Sequence, residues 1–169
     1  MKLVVAVLVL ALGVLPAAAD VRWQAFRPPG CVCSAEFPGA PIEQKTTIKN
    51  TLGEKIPVTQ YAVPISASAA VMLSIGDYSA AGVPGIGQTM INTVVMNVRR
   101  GRPLESDGTK TVDSHLGRRI EFTQRDGTHV TDLVFYFGRH VYQMMMINTG
   151  EAAEQKEVFE RFEHSLHFE

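Results

Sequence analysis

The sequence predicts an α+β fold of one domain, an antiparallel sheet sandwiched by helices. Three observations lead there. Several short segments alternate apolar with polar residues, the period of a strand with one buried face. One segment between two such blocks repeats its apolar residues every three or four positions instead, the period of an amphipathic helix. Turn signals then join the later segments directly, as hairpins rather than crossovers do.

The N-terminus is read apart from that fold. Lys2 precedes an apolar run from Leu3 to Leu15 broken by Gly13 alone, and Pro16-Ala17-Ala18-Ala19 supplies the small residues that a signal peptidase accepts. At about 13 residues the run is short of the roughly 20 that span a bilayer, so residues 1–19 are expected to be a signal peptide cleaved before Asp20. Residues 20–169 are then one domain in a periplasm or outside the cell, with no stable membrane span after cleavage. The whole chain carries 16 Lys and Arg against 17 Asp and Glu. Without the leader its apolar share falls from 46% to about 41%, ordinary for a soluble domain. The charge balance excludes a nucleic-acid binder held by a basic excess, and the apolar content excludes a disordered chain.

Along the remaining chain, Asp20 to Gly30 reads as an irregular lead-in pinned by Trp23 and Phe26. Cys31, Cys33, Ala35 and Phe37 alternate with Val32, Ser34 and Glu36 in a strand that Pro38-Gly39-Ala40-Pro41 ends. Glu43 to Lys49 and Ile56 to Ile65 suit a hairpin around Leu52-Gly53, and Ala70 to Tyr78 a further strand. A Gly-rich loop, Ser79 to Gly87, leads into a helix with Ile86, Met90, Ile91, Val94, Val95 and Val98 on one stripe. Arg99 and Arg100 stand in its last turn and Gly101 at a left-handed cap. From Leu104 a meander follows. Leu116 to Arg125 turns at Asp126-Gly127, suited to a type I′ turn with two positive φ values, into Thr128 to Phe137. Gly138-Arg139 turns again into His140 to Ile147. Thr149 is placed to cap a last helix with Val158, Phe159, Phe162 and Leu166 inward and Glu151, Glu154, Glu157, Glu160 and Glu163 outward.

Four short patterns resemble the PsbP-like fold of photosystem II extrinsic proteins, shared with a nuclear import factor that binds the Ran GTPase and with bacterial exported proteins. Cys33-Ser34-Ala35-Glu36-Phe37-Pro38-Gly39-Ala40-Pro41 resembles the family's opening "F-S-V-x-F-P-x-x-P", with Cys33 where an aromatic or apolar residue is usual. Asp77-Tyr78 precedes the first helix. Gly138 to Met144 (GRHVYQM) is similar to the "G-x-x-x-Y-Q-L" strand, and Phe159 to Phe168 to a closing helix that ends in "S-F". The resemblance implies the sheet between helices and an uncharacterised exported branch. It implies no function, and no residue matches a manganese-cluster or Ran-binding surface.

Chemistry is sparse. Cys31 and Cys33 are the only cysteines, and in an oxidising compartment three readings stay open. They are buried thiols, a local disulfide, or a soft-metal or redox site. On one strand their Cα atoms would lie about 6.5 Å apart, near the upper limit for a disulfide, so a bridge there would be strained. In a metal reading Met144 and Met146, which share a strand face within Met144-Met145-Met146, join the cysteines around copper(I). The histidines lack zinc spacing, though His129 and His140 flank one hairpin. Gly85-Ile86-Gly87 lacks the third glycine of a phosphate loop, no Gly-x-Ser-x-Gly elbow occurs, and no two carboxylates are placed together by the sequence. Arg99, Arg100, Arg102, Arg118 and Arg119, with Lys110 and Arg125 nearby, form a candidate partner surface for acidic groups, or neutralise the acidic last helix if the two share a face.

The function expected is that of an exported, non-catalytic binding or scaffolding domain without a cofactor. It would hold an envelope protein or a small ligand through the sheet face or the Gly-rich loop. A periplasmic thiol- or copper(I)-handling protein is the first alternative, and an enzyme of unknown class the second.

Overall fold

The alternation read from the sequence folds into ten strands and two helices in a computed structural model that describes residues 22–50, 53–80, 87–99, 103–150 and 155–169. In chain order they are β1 (Gln24–Phe26), β2 (Cys33–Phe37), β3 (Ile42–Lys49), β4 (Lys55–Pro64), β5 (Ala69–Asp77), α1 (Gly87–Arg99), β6 (Ser106–Val112), β7 (His115–Thr123), β8 (His129–Phe137), β9 (His140–Asn148), α2 (Lys156–His164) and β10 (His167–Phe168). Seven strands make one antiparallel sheet in the order β3-β4-β5-β9-β8-β7-β6, so the β8–β9 hairpin inserts between β5 and β7. The leader, Ile86, Arg100, Gly101, Arg102, Glu151 and Glu154 lie outside the described residues.

Because facing residues of paired strands point to the same side, the register divides the sheet into two faces. On one, Tyr61, Val71, Leu73, Leu133, Phe135, Tyr142, Met144 and Met146 form the larger core. Its cover differs from the expected helix. A small antiparallel sheet, β1-β2-β10, packs Cys33, Ala35, Phe37 and Phe168 onto that core, with Phe162 of α2 beside them. The period-two pattern of β2 belongs to this separate cover, and the lead-in contributes a strand of its own in β1. The closing helix stops at His164, and Leu166 and Phe168 reach the core from beyond it. One face is thus covered by the small sheet with α2 at its side, and the other only in part, by a helix.

On the second face α1 packs Met90, Ile91, Val95 and Val98 against Ile120, Phe122, Val130 and Val134 of β7 and β8. Of the stripe read from the sequence, Met90, Ile91, Val95 and Val98 are buried, Val94 is partly so, and Ile86 lies outside the described residues.

The turns sort themselves by backbone sign. Gly138 and Arg139 both take positive φ, as do Asp113 and Ser114 between β6 and β7, the left-handed pair a two-residue hairpin requires. At Asp126-Gly127 only Gly127 does. The loop there is longer, with Gly127 N–H donating to Gln124 O and Thr128 N–H to the Asp126 side chain, so the expected type I′ turn does not form. Thr149 does not cap α2 either. Its N–H and hydroxyl donate to Ser68 O, tying the end of β9 to the β4–β5 turn.

Gly117 sits where β7 passes under Phe135. A Cβ built there meets the Phe135 ring and Val134 O at 2.5 Å, closer than any real contact. Gly117→Ala is expected to lower unfolding free energy by roughly 1–3 kcal/mol, through overpacking of the central strands, read as a lower urea midpoint with an unchanged slope.

Candidate functional site

The α1 face is only partly covered. Beside the helix, over β3, β4, β5, β9 and β8, a groove of about 410 Å³ remains open, a size typical of small-molecule sites. Register places its floor in rows. Gln60, Ser74 and Gln143 face one another across β4, β5 and β9, and the adjacent row holds Met72, Met145 and Asp132. Val58 and Val141 flank these rows at one end, Ile147 and Val130 at the other, and Val94, Asn97 and Val98 of α1 form the wall.

Asp132 is the exceptional residue. It is 1% exposed and lies among apolar neighbours in the ladder, Ile120 on β7 and Met145 on β9. Gln143 Nε2 donates to its Oδ2 at 2.7 Å, while Oδ1 has no hydrogen-bond partner. Burial disfavours the charged form and pushes the carboxyl up to about 7, with the Gln143 bond opposing. A buried carboxyl with a raised pKa in a concave site is the usual mark of a functional group. Tyr78, half-buried at the groove, also has its hydroxyl pushed up by burial.

Sequence reading missed this site. Asp132 is the one charged residue inside the apolar stretch from Val130 to Phe137, and Gln143 interrupts the apolar run of β9. Those two interruptions were the available signal. They point to a site only once the register brings Asp132 and Gln143 together on the face that α1 leaves partly open.

The cysteines are joined, with Sγ atoms 1.96 Å and Cα atoms 5.1 Å apart. Cys31 is not on the strand. Gly30 turns the chain at φ +73° just before it, so the pair spans a turn-to-strand junction and escapes the extended i, i+2 spacing. Cys33 is fully buried and Met144 and Met146 lie in the same core, yet bonded sulfurs leave no thiolate to bind copper(I). Among the described residues no group of three or more His, Cys, Asp or Glu is arranged to hold a metal ion. His129 and His140 stand at opposite ends of the β8–β9 hairpin, facing Asn148 and Phe137, and do not meet. His129 lies beside Glu105 and His140 beside Asp77.

The arginines divide between the two faces. Arg99 and Arg118 converge on Asp107, Arg99 at 2.7 Å. Arg119 pairs with Glu121 and, together with Lys110, with Glu163 of α2. Burial raises the Glu163 pKa, but the two cations outweigh it and hold the carboxyl below its ordinary value. Basic and acidic groups thus neutralise one another here, and Arg100 and Arg102 fall outside the described residues.

No family model matches the chain and no curated protein is similar to it. Solved structures of similar fold include the following two. The solution structure of cyanobacterial PsbP (CyanoP) from Synechocystis sp. PCC 6803 is 11% identical over 94% of this chain and 99% of that one, with a TM-score of 0.48. The crystal structure of PA94 from Pseudomonas aeruginosa, a protein of unknown function, is 13% identical over 69% of this chain and 92% of that one, with a TM-score of 0.46. The first is a PsbP protein, the family that the short motifs resemble.

Two outcomes are expected from these geometries. Between the ordinary aspartate value of 3.8 and about 7, folded Asp132 keeps a proton that the unfolded chain has released. Its contribution to stability is therefore lost as pH rises through that window. Asp132→Asn should flatten the decline and stabilise the protein at pH 8 by on the order of a few kcal/mol, measured by urea unfolding from pH 4 to 8. Separately, unreduced protein should resist thiol alkylation even when denatured and take two adducts after reduction, by intact mass.

Proposed function

We propose that this chain is a non-catalytic binding domain whose sheet-face groove takes one small, mostly apolar molecule with a polar group that meets Asp132. One observation carries the reading. A carboxyl that is 1% exposed lines a groove of about 410 Å³ with an oxygen that no protein group satisfies. Buried polar atoms are almost always paired, so an unpaired one at the floor of a groove marks a place where a ligand completes the bonding. The apolar side chains along both ends of the floor supply most of the contact area, as in ordinary ligand sites.

The same proposal includes export. The leader-like N-terminus and the joined cysteines support an oxidising compartment, and among the described residues no helix is long and apolar enough to cross a membrane.

Nile red, a neutral apolar fluorophore, tests the groove. Saturable binding of one dye per chain is expected. Gln60→Trp, which fills the floor, should weaken it about tenfold, or roughly 1.4 kcal/mol, while Val32→Trp on the far, exposed side leaves it unchanged. Equal binding by both variants, or none by the wild type, would overturn the reading.

A further inference from the structure

An ionised carboxylate at the floor of the groove lacks a counter-charge. The other titratable residues lining the groove, among those described, are Lys49, exposed on β3 at the rim, and Tyr78. The wall formed by α1 brings Val94, Asn97 and Val98, and the floor brings Gln60, Ser74 and Gln143, none of which is charged. Ile120 and Met145 flank Asp132 in the ladder. Arg118, the cation of the same face on β7, is committed to Asp107. Gln143 satisfies Oδ2 alone.

We propose that the groove selects protonated amines, molecules with an apolar body along the sheet and one ammonium head seated on Asp132 Oδ1. This rests on the binding reading above and names the chemistry of its ligand. An ammonium supplies both things the site lacks, a donor for Oδ1 and a positive charge that compensates the buried carboxylate, in the kind of charge-assisted bond that is strongest in dry surroundings. An alcohol supplies only the donor, and a carboxylate brings a second negative charge. Oδ1 is itself buried, so an ammonium reaches it only as neighbouring side chains shift, and Met145, beside Asp132 in the ladder, is unbranched and adaptable. Protons compete for the same oxygen. Because burial pushes the carboxyl up to about 7, mild acidification neutralises Asp132 while an alkylamine stays charged, and the amine is released.

Displacement of Nile red by octylamine, octanol and octanoate tests this, with wild type and Asp132→Asn at pH 8 and pH 5.5. Octylamine should compete at least about tenfold more tightly than the other two at pH 8, as expected for one charge-assisted pair. That preference should vanish in Asp132→Asn, and in the unaltered protein it should shrink about tenfold or more at pH 5.5. If Nile red binds but all three compounds displace it equally, or Asp132→Asn keeps the preference, amine selection is overturned and the groove stands. If Nile red does not bind at all, the groove reading fails and this inference with it.

Discussion

A strand covered on both faces has no side on which to place a polar residue without cost, and β8 is such a strand, while β9 beside it has one face in a core and the other largely on the floor of the groove. Leu133 and Phe135 enter one core, Val130 and Val134 the other, and on β9 Met144 and Met146 oppose Val141. Every other element answers to that burial. The hairpin needs β5 and β7 at its sides to pair its backbone, α1 above, and the small β1-β2-β10 sheet below. Asp132 and Gln143 depart from the rule together. Their hydrogen bond keeps one carboxyl oxygen satisfied in a place where an isolated aspartate would be untenable.

The groove follows from the dimensions of the two covers. Seven strands at about 4.8 Å spacing span roughly 29 Å, whereas one helix with its side chains is about 10–12 Å across. A single helix therefore roofs two or three strands. α1 lies on β7 and β8, and the β3–β5 half of the same face stays open. On the opposite face three short strands and α2 share the work, and the core beneath them is filled with interlocking rings, Phe37 against Phe162 and Phe168 against Phe135, Phe137 and Tyr142.

The parts of this arrangement that repeat were legible in the sequence. The alternation of β4, β5, β8 and β9 and the stripe of α1 come from periodicities that burial imposes directly, and Gly138-Arg139 marks its turn. What escaped depends on long-range partners. β10 has two residues, too few for any period, and exists because β2 is there to pair with it. Asp113-Ser114 takes the left-handed turn with neither residue a glycine. Strand geometry for both cysteines predicts a strained bridge, whereas the turn at Gly30 places Cys31 ahead of the strand that begins at Cys33. Apolar residues on both faces of β8, Leu133, Phe135 and Phe137 on one and Val134 and Tyr136 on the other, read as a central strand covered on both sides, but Asp132 is not singled out within it. What the sequence does not supply is the groove that α1 leaves open beside it.

The small cover also sets an order of assembly. β2 is among the first strands of the chain, yet it pairs with β10 at the last residues, and Glu36 N–H donates to Ser165 Oγ across 129 positions of sequence. Asp113 receives Phe168 N–H in the same closure. Contacts of such separation close the longest loops and form after local hairpins. The larger sheet and α1 can thus take shape from the segments between, while the lower core lacks part of its cover until β10 pairs with β2. A chain made from its N-terminus holds β2 without β10 until segments some 129 positions further on have been added. β10 acts as the closing latch of that lower core.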